Sequence, residues 1–338
     1  IGLHVDSNKP AQEVQFKNLT LTTFPEHKVT TLKKGAKANL NPRTTVPVKA
    51  ALDIFDHKAH KETKGYKKIA FIADTRPHGP RGNHEFVAAA VYLARTINEN
   101  YPNVYCAVYT MQKFPKDLSH ADAVVVLMNH GGTAAKNKEV IKAMNRGAGF
   151  MAIHYGVEVN KGQHGNNYLK WMGGYFETYW SVNPHWTANF TEIPKHETTR
   201  GVKPFETNDE WYYHMRFVKG MKGVTPVLSA LPPLKTARKR RSPRGGNPTV
   251  HKEVSEGKKQ VVAWAYERPD GGRRFGFTAL HRHKNLGNDS LRTLLLNATA
   301  WILKLKIPEK GIPSKPLDRG ALEKLIDDGK LAVKRRGI

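Results

Sequence analysis

Ala148–Glu158 reads AGFMAIHYGVE, and this stretch decides the fold. Phe150, Met151, Ala152 and Ile153 form a short, nearly continuous apolar run, which predicts a strand covered on both faces. The run ends at His154, Tyr155 and Gly156, a polar turn. In open α/β sheets the ligand crevice lies outside the carboxyl ends of the strands, so a histidine there marks a candidate site. The competing reading is a histidine that closes a loop through hydrogen bonds.

Upstream, KKIAFIAD from Lys67, VYCAVYT and ADAVVVLMNHGG read as three more strands, and the β-branched valines of the last suit a central position. EFVAAAVYLARTINEN and KNKEVIKAMNRG carry helical spacing between them. Strand and helix alternating across 67–175 predict an α/β fold: a parallel sheet with right-handed crossovers and helices on both faces. Downstream, QHGNNYLKWMGGYF predicts a helix with a glycine end. HWTANFTEI, WYYHMRF, QVVAWAYE and RRFGFTAL predict added strands, and DSLRTLLLNATAWILKL a long helix capped by Asp289 or Ser290. Residues 1–65 read as an N-terminal arm of one or two strands plus linker, and 66–312 as the α/β domain. Residues 313–338 read as a short helix near Ala321–Asp327 with a basic tail.

The 338 residues include 55 Lys+Arg against 29 Asp+Glu, a formal charge of +26. That balance favours an anionic partner, whether polysaccharide, nucleic acid or acidic lipid headgroup, or else serves solubility. No helix-turn-helix, zinc-finger or aromatic single-strand-binding pattern supports a nucleic-acid reader. The single cysteine, Cys106, lies in a predicted strand, so no internal disulfide forms and a buried thiol is expected. No run of about 18 apolar residues predicts a membrane-spanning helix. The chain opens at Ile1 rather than Met, which fits a processed N-terminus and a secreted or periplasmic location, a cytoplasmic one remaining the alternative.

Four segments put polar groups at predicted strand ends: Arg76–Glu85, Asn129–Gly132, His154–Glu158 and His281–Asn285. His84 and Glu85 open a helix, whose free N–H groups favour anions; the plainer reading of Glu85 is a first-turn acid. In an extended segment His281 and His283 would face the same side, a hint of metal binding because imidazole suits Zn²⁺ and other first-row ions. No HExxH or paired CxxC accompanies them. GGYFETYWSVNPHW and NDEWYYHMRF mix Tyr179, Trp180, Tyr213, His185 and Glu210 in a pattern suited to sugar rings, although alternate aromatics of the second stretch also suit a core. No GxSxG or GxCxG elbow is present; IHYG stands where one would fall. The loop LKTARKRRSPRG reads as a phosphate or sulfate grip or as a solvated excursion.

From about Lys67 to Pro316 the chain resembles the ThuA-like, or trehalose-utilisation, proteins. The resemblance rests on IAFIAD…PHGPRGNHEF, ADAVVVLMNHGG, GFMAIHYGVE, GGYFETYW, NDEWYYHMRF, VAWAYERPDGGRRFGFTALHRHKNLGND and LRTLLLNATAWILKLKIPEKGI. It implies a flavodoxin-like sheet related to class I glutamine amidotransferases but without their cysteine nucleophile, which agrees with IHYG at the elbow. It also implies a role in carbohydrate catabolism, in some members beside genes that oxidise sugars to 3-keto derivatives. The histidine motifs carry over to His84, His154, His281 and His283, and the acidic aromatic motif to Glu210 and Tyr213. Two departures stand out: ALHRH replaces the usual glycine pair before the His-x-His, and the Lys235–Arg244 loop is unusually basic.

The expectation is therefore a carbohydrate-processing hydrolase or lyase acting on a glycoside, with a 3-keto sugar or an anionic glycan as candidate substrates. His154 is the expected general base or electrophile, with His84, His281 and His283 positioning an oxyanion or a divalent metal such as Zn and Glu85 and Glu210 orienting them. Arg76, Tyr155, Tyr179, Trp180, His185, Glu210 and Tyr213 are the expected sugar contacts. The rivals are a non-catalytic sugar binder using the same cleft and a polyanion binder using the basic loop.

Overall fold

A computed structural model describes residues 52–336. The strands expected in the arm at 1–51 lie outside the described residues. Residues 52–65, grouped above with that arm, pack on the main unit: Ile54 and Phe55 are buried in its core and the short helix α1 (His57–Glu62) lies on an edge strand.

The chain then runs β1 (Lys67–Ala73), α2 (Phe86–Asn100), β2 (Val104–Thr110), β3 (Ala123–Leu127), α3 (Gly132–Lys136), α4 (Lys138–Asn145) and β4 (Gly149–Ile153). Next come α5 (Gln163–Met172), β5 (Gly174–Tyr175), β6 (Trp186–Phe190), β7 (Phe205–Asp209), β8 (Arg216–Phe217), β9 (Val224–Ala230) and α6 (Pro248–Ser255). β10 (Gln260–Glu267), β11 (Arg273–Phe277), α7 (Asp289–Trp301) and α8 (Arg319–Arg336) complete it.

Seven strands form the main sheet in the order β2-β1-β3-β4-β11-β10-β9. The first five are mutually parallel, and β10 and β9 extend the edge antiparallel. The strands are apolar on both faces because both faces are covered. Ile69, Phe71, Met151 and Ile153 pack with α2 and α7, while Ala70, Ile72, Phe150 and Ala152 pack with α3, α4 and α5. Each buried Ile, Leu, Val or Phe contributes about 1.5–3 kcal/mol, so these runs hold register without help from their ends. This is the flavodoxin-like α/β sheet with added antiparallel strands.

Three local readings differ. WYYHMRF contributes only the two-residue β8; the strand lies just before it, in β7 paired antiparallel with β6. The cap of α7 is Asn288, whose side chain accepts from the Leu291 N–H at 3.0 Å. The C-terminal helix is longer than its apolar spacing indicated, running as α8 across Arg319–Arg336 with Leu322 and Ile326 buried. Gly173 ends α5 in the left-handed region, φ 73°, as its position past the last turn requires.

Candidate metal centre at the sheet rim

The chain steps outward from β1 to β2 and then returns to β3, so the strand order reverses between β1 and β3. Ligand crevices form at such reversals, beyond the strand C-termini. Asp74, buried just past β1, accepts from Asn129 Nδ2 past β3 at 2.8 Å. Asn129 also donates to the Arg76 carbonyl at 2.7 Å. This link fixes the loop that carries His78 and His84. The rims of β3 and β4 approach so closely that a Cβ at Gly131 would lie 2.3 Å from the Gly156 carbonyl oxygen.

His84, His154 and His281 converge here with Glu210. His154 follows β4, His281 follows β11, His84 precedes α2, and Glu210 follows β7. His84 Nε2 is 3.1 Å from both His154 Nε2 and His281 Nδ1. Glu210 Oε2 is 3.1 Å from His281 Nδ1 and 3.4 Å from His154 Nε2. His84 and His154 adopt φ 53° and Leu280 φ 84°. Positive φ on non-glycine residues stores strain that clusters at functional sites. Leu280 is the position where the resemblance led us to expect glycine, so this chain carries there a strain that glycine would avoid.

The protons can be assigned from the partners. His154 Nδ1 donates to the Thr278 carbonyl at 2.9 Å, and His84 Nδ1 to the His78 carbonyl at 2.9 Å. A carbonyl only accepts, so both neutral rings keep their protons on Nδ1 and turn Nε2 lone pairs toward each other. Facing lone pairs with a carboxylate beside them repel unless a proton or cation lies between. Zinc bonds of about 2.0–2.2 Å in a tetrahedron set neighbouring ligand atoms about 3.3–3.6 Å apart; four of the pairs here lie at 3.1–3.4 Å and the whole set within 4.8 Å. The residues present therefore fit a first-row divalent ion.

Burial, then the neighbouring His154 and His281, lower the His84 pKa to about 3. Burial alone would raise the Glu210 carboxyl; with His154 and His281 protonated, their hydrogen bonds and charges more than reverse this and hold it below the usual carboxylate range. Asp209 supports the assembly from behind, accepting from the Leu280 N–H at 3.1 Å and the His281 N–H at 3.0 Å.

The other expected residues are distributed differently. His283 does not join the cluster: the chain turns at that residue, its N–H donates to the Gly82 carbonyl, and its ring lines a separate hollow with Leu322 and Glu323 of α8. The same-side reading of His281 and His283 fails although Arg282 between them is extended and bridged to Asn83, because a short helical turn begins at His283 and its ring goes to the other hollow. Glu85 folds back on its own loop, accepting from the Gly82 N–H at 3.0 Å. Arg76 is exposed, with its backbone rather than its side chain engaged. Tyr155 is half-buried beneath the Arg244 guanidinium. His185 is exposed, its ring 4.7 Å from that of His281. Trp180 stacks under Arg216, and Tyr179 is 53% exposed beyond it. Tyr213 is core, with its hydroxyl 2.8 Å from Thr236 Oγ1.

Tyr212, missed in the sequence, is the tyrosine that reaches the cluster, its hydroxyl 3.4 Å from both His154 Nε2 and Glu210 Oε2. The strand alternation assumed for WYYHMRF does not exist, and that removed the only signal for choosing between the two. Asp209 and Asn183 were likewise unassigned; Asn183 Nδ2 donates to Glu210 Oε1 at 3.2 Å.

A doubly covered parallel sheet with a ligand-type residue cluster beyond its strand reversal defines a flavodoxin-like α/β protein with its site at the strand C-termini. The chain belongs to the ThuA family, described as trehalose utilisation, whose model matches residues 78–302. Among solved structures it is similar to a putative ThuA-like protein from Bacteroides uniformis, at 19% identity and TM-score 0.49 over 71% of this chain and 93% of that one. It is also similar to PurLQS from Thermotoga maritima, at 14% identity and TM-score 0.36 over 79% of this chain and 98% of that one. No curated protein matches the chain. Among the described residues no helix is long and apolar enough to cross a membrane.

Proposed function

We propose that the protein is a carbohydrate-processing enzyme in which His84, His154, His281 and Glu210 hold a divalent first-row metal ion, and that a 3-keto glycoside is cleaved there by hydrolysis or elimination. The observation that carries this reading is the pair of Nε2 lone pairs facing each other at 3.1 Å beside a carboxylate. The family's trehalose-utilisation description supports the sugar. A bound ion of this kind polarises a carbonyl oxygen and lowers the pKa of a bound water.

The chain's own residues supply the rest. Thr278 and His78 hold two rings in the ligating tautomer through their carbonyls. Asn183 orients Glu210 through its second oxygen. His154, fully buried with both ring nitrogens committed, is a ligand in this reading rather than the general base expected from sequence. His185, exposed beside His281, takes the proton-carrying role; burial lowers its pKa below the ordinary value, which leaves a neutral imidazole able to accept a proton at pH 7.

Elemental analysis of the purified protein, paired with a screen of 3-keto glycosides and their unoxidised parents, tests this. The expected result is about one ion per chain, with turnover lost in the His84→Ala/His154→Ala variant. Protein without a stoichiometric metal whose His154→Ala form keeps full turnover sinks the assignment.

A further inference from the structure

We propose that the sugar bound at this site carries an anionic group, a carboxylate or a sulfate ester, held by the basic loop that walls the cavity beside the metal centre. This rests on the reading of the cluster as the reaction centre. Lys235–Arg244 contains six cations and no carboxylate. It is nevertheless a built wall. Arg238 and Ser242 both bridge to Gly246, and a Cβ at Gly246 would lie 2.1 Å from the Arg238 carbonyl oxygen. The loop is tied to the body where the Tyr179 N–H donates to the Pro243 carbonyl at 2.8 Å and the Asn183 N–H to the Arg244 carbonyl at 3.1 Å. Tyr213 and Thr236 join their hydroxyls beneath it.

Behind this wall lies a cavity of about 620 Å³, lined by Asn183, Lys235, Arg238, Ser242 and Arg244 among others. The volume falls within the range of small-molecule sites. Asn183 is common to the cavity lining and the metal centre, since its amide holds Glu210. The charges do not cancel. Arg244 is taken up by the fully buried Glu158, with contacts of 2.6–3.0 Å. Lys235 and Arg238 have no carboxylate partner among the described residues. Neutral sugars are gripped largely through aromatic faces, and no aromatic ring lines this cavity. Two uncompensated cations in a cavity without aromatic faces select for charge on the ligand.

Calorimetric titration of the full protein with glucuronate, glucose 6-sulfate, glucose and inorganic sulfate tests the proposal. One or both anionic sugars are expected to bind at least about ten-fold more tightly than glucose, and the stronger of the two names the group. Each exposed cation contributes up to about five-fold, so Lys235→Gln/Arg238→Gln should weaken the anionic sugar by about ten-fold or more while metal content and melting temperature hold. Glucose binding as tightly as either anionic sugar overturns the proposal. So does inorganic sulfate matching both sugars, which would reveal a merely basic surface. Because binding is read without turnover, failure here leaves the metal centre untouched, and a missing metal leaves this result standing.

Discussion

Among the described residues two groups of histidines stand out, and one of them has the makings of a reaction centre. At the edge strand β2, His60 Nε2 donates to the Tyr105 carbonyl at 3.0 Å, and its Nδ1 meets the Tyr109 hydroxyl at 3.1 Å and His120 Nε2 at 3.2 Å. The His60 lone pair there has a donor to meet it, and no carboxylate bonds to the ring. The group closes on itself and pins α1 to the sheet. At the rim, His84 and His154 turn Nε2 lone pairs on one another beside the Glu210 carboxylate, with His281 Nδ1 and the more distant Tyr212 hydroxyl as the neighbouring groups able to donate. Clustering of imidazoles therefore says little by itself. What distinguishes a ligand site from a structural peg is whether the acceptors are already satisfied.

The largest expected break in this contrast is chemical. His84→Ala/His154→Ala should abolish stoichiometric metal and turnover, whereas His60→Ala should leave metal content intact, as elemental analysis will read. Removing metal from the wild-type protein should also lower its thermal midpoint, because an ion present at about 1,000 times its dissociation constant stabilises the folded state by about 4 kcal/mol. His60→Ala is expected to cost about 2–4 kcal/mol by chemical denaturation, from a lost buried ring and its hydrogen bonds.

Acid sharpens the same comparison. Burial, then His120, lowers the His60 pKa from 6.5 to about 3. Between those values the unfolded chain binds the proton and the folded one does not. The stabilising contribution is therefore complete above 6.5 and is lost progressively as pH falls toward 3. Denaturation midpoints of His60→Gln should depend less on pH across that window than those of wild type; identical slopes would show that the ring does not titrate this way.

A finer effect separates the two tyrosines. Tyr212→Phe should weaken metal affinity several-fold, while Tyr213→Phe should cost about 1 kcal/mol of stability and leave metal affinity unchanged. Smallest of all should be His283→Phe at the metal centre, with full metal content and near-normal turnover. Loss of the ion in that variant would return His283 to the cluster.

The sheet was legible because burial on both faces forces β1 to β4 into apolar runs, and the alanine-rich α2 between them has helical spacing of its own. β7 was not legible: FETND is polar, and its place is set by pairing with β6 rather than by its own pattern. The separation of His281 from His283 escaped for a related reason. Side-chain alternation holds only while the backbone stays extended; Arg282 is held extended by its bridge to Asn83, a partner some 200 residues away in the chain, and a short helical turn begins at the next residue, His283.

The sequence by itself determined a parallel α/β core, a histidine at the elbow after its central strand and a family, because hydrophobic period and local turn chemistry are written residue by residue. Only the tertiary structure decided which imidazoles share one hollow, that Glu210 and Tyr212 stand beside them, and that the basic loop walls the adjoining cavity. Those are long-range distances, set by how strands stack and loops return, and no local pattern encodes them.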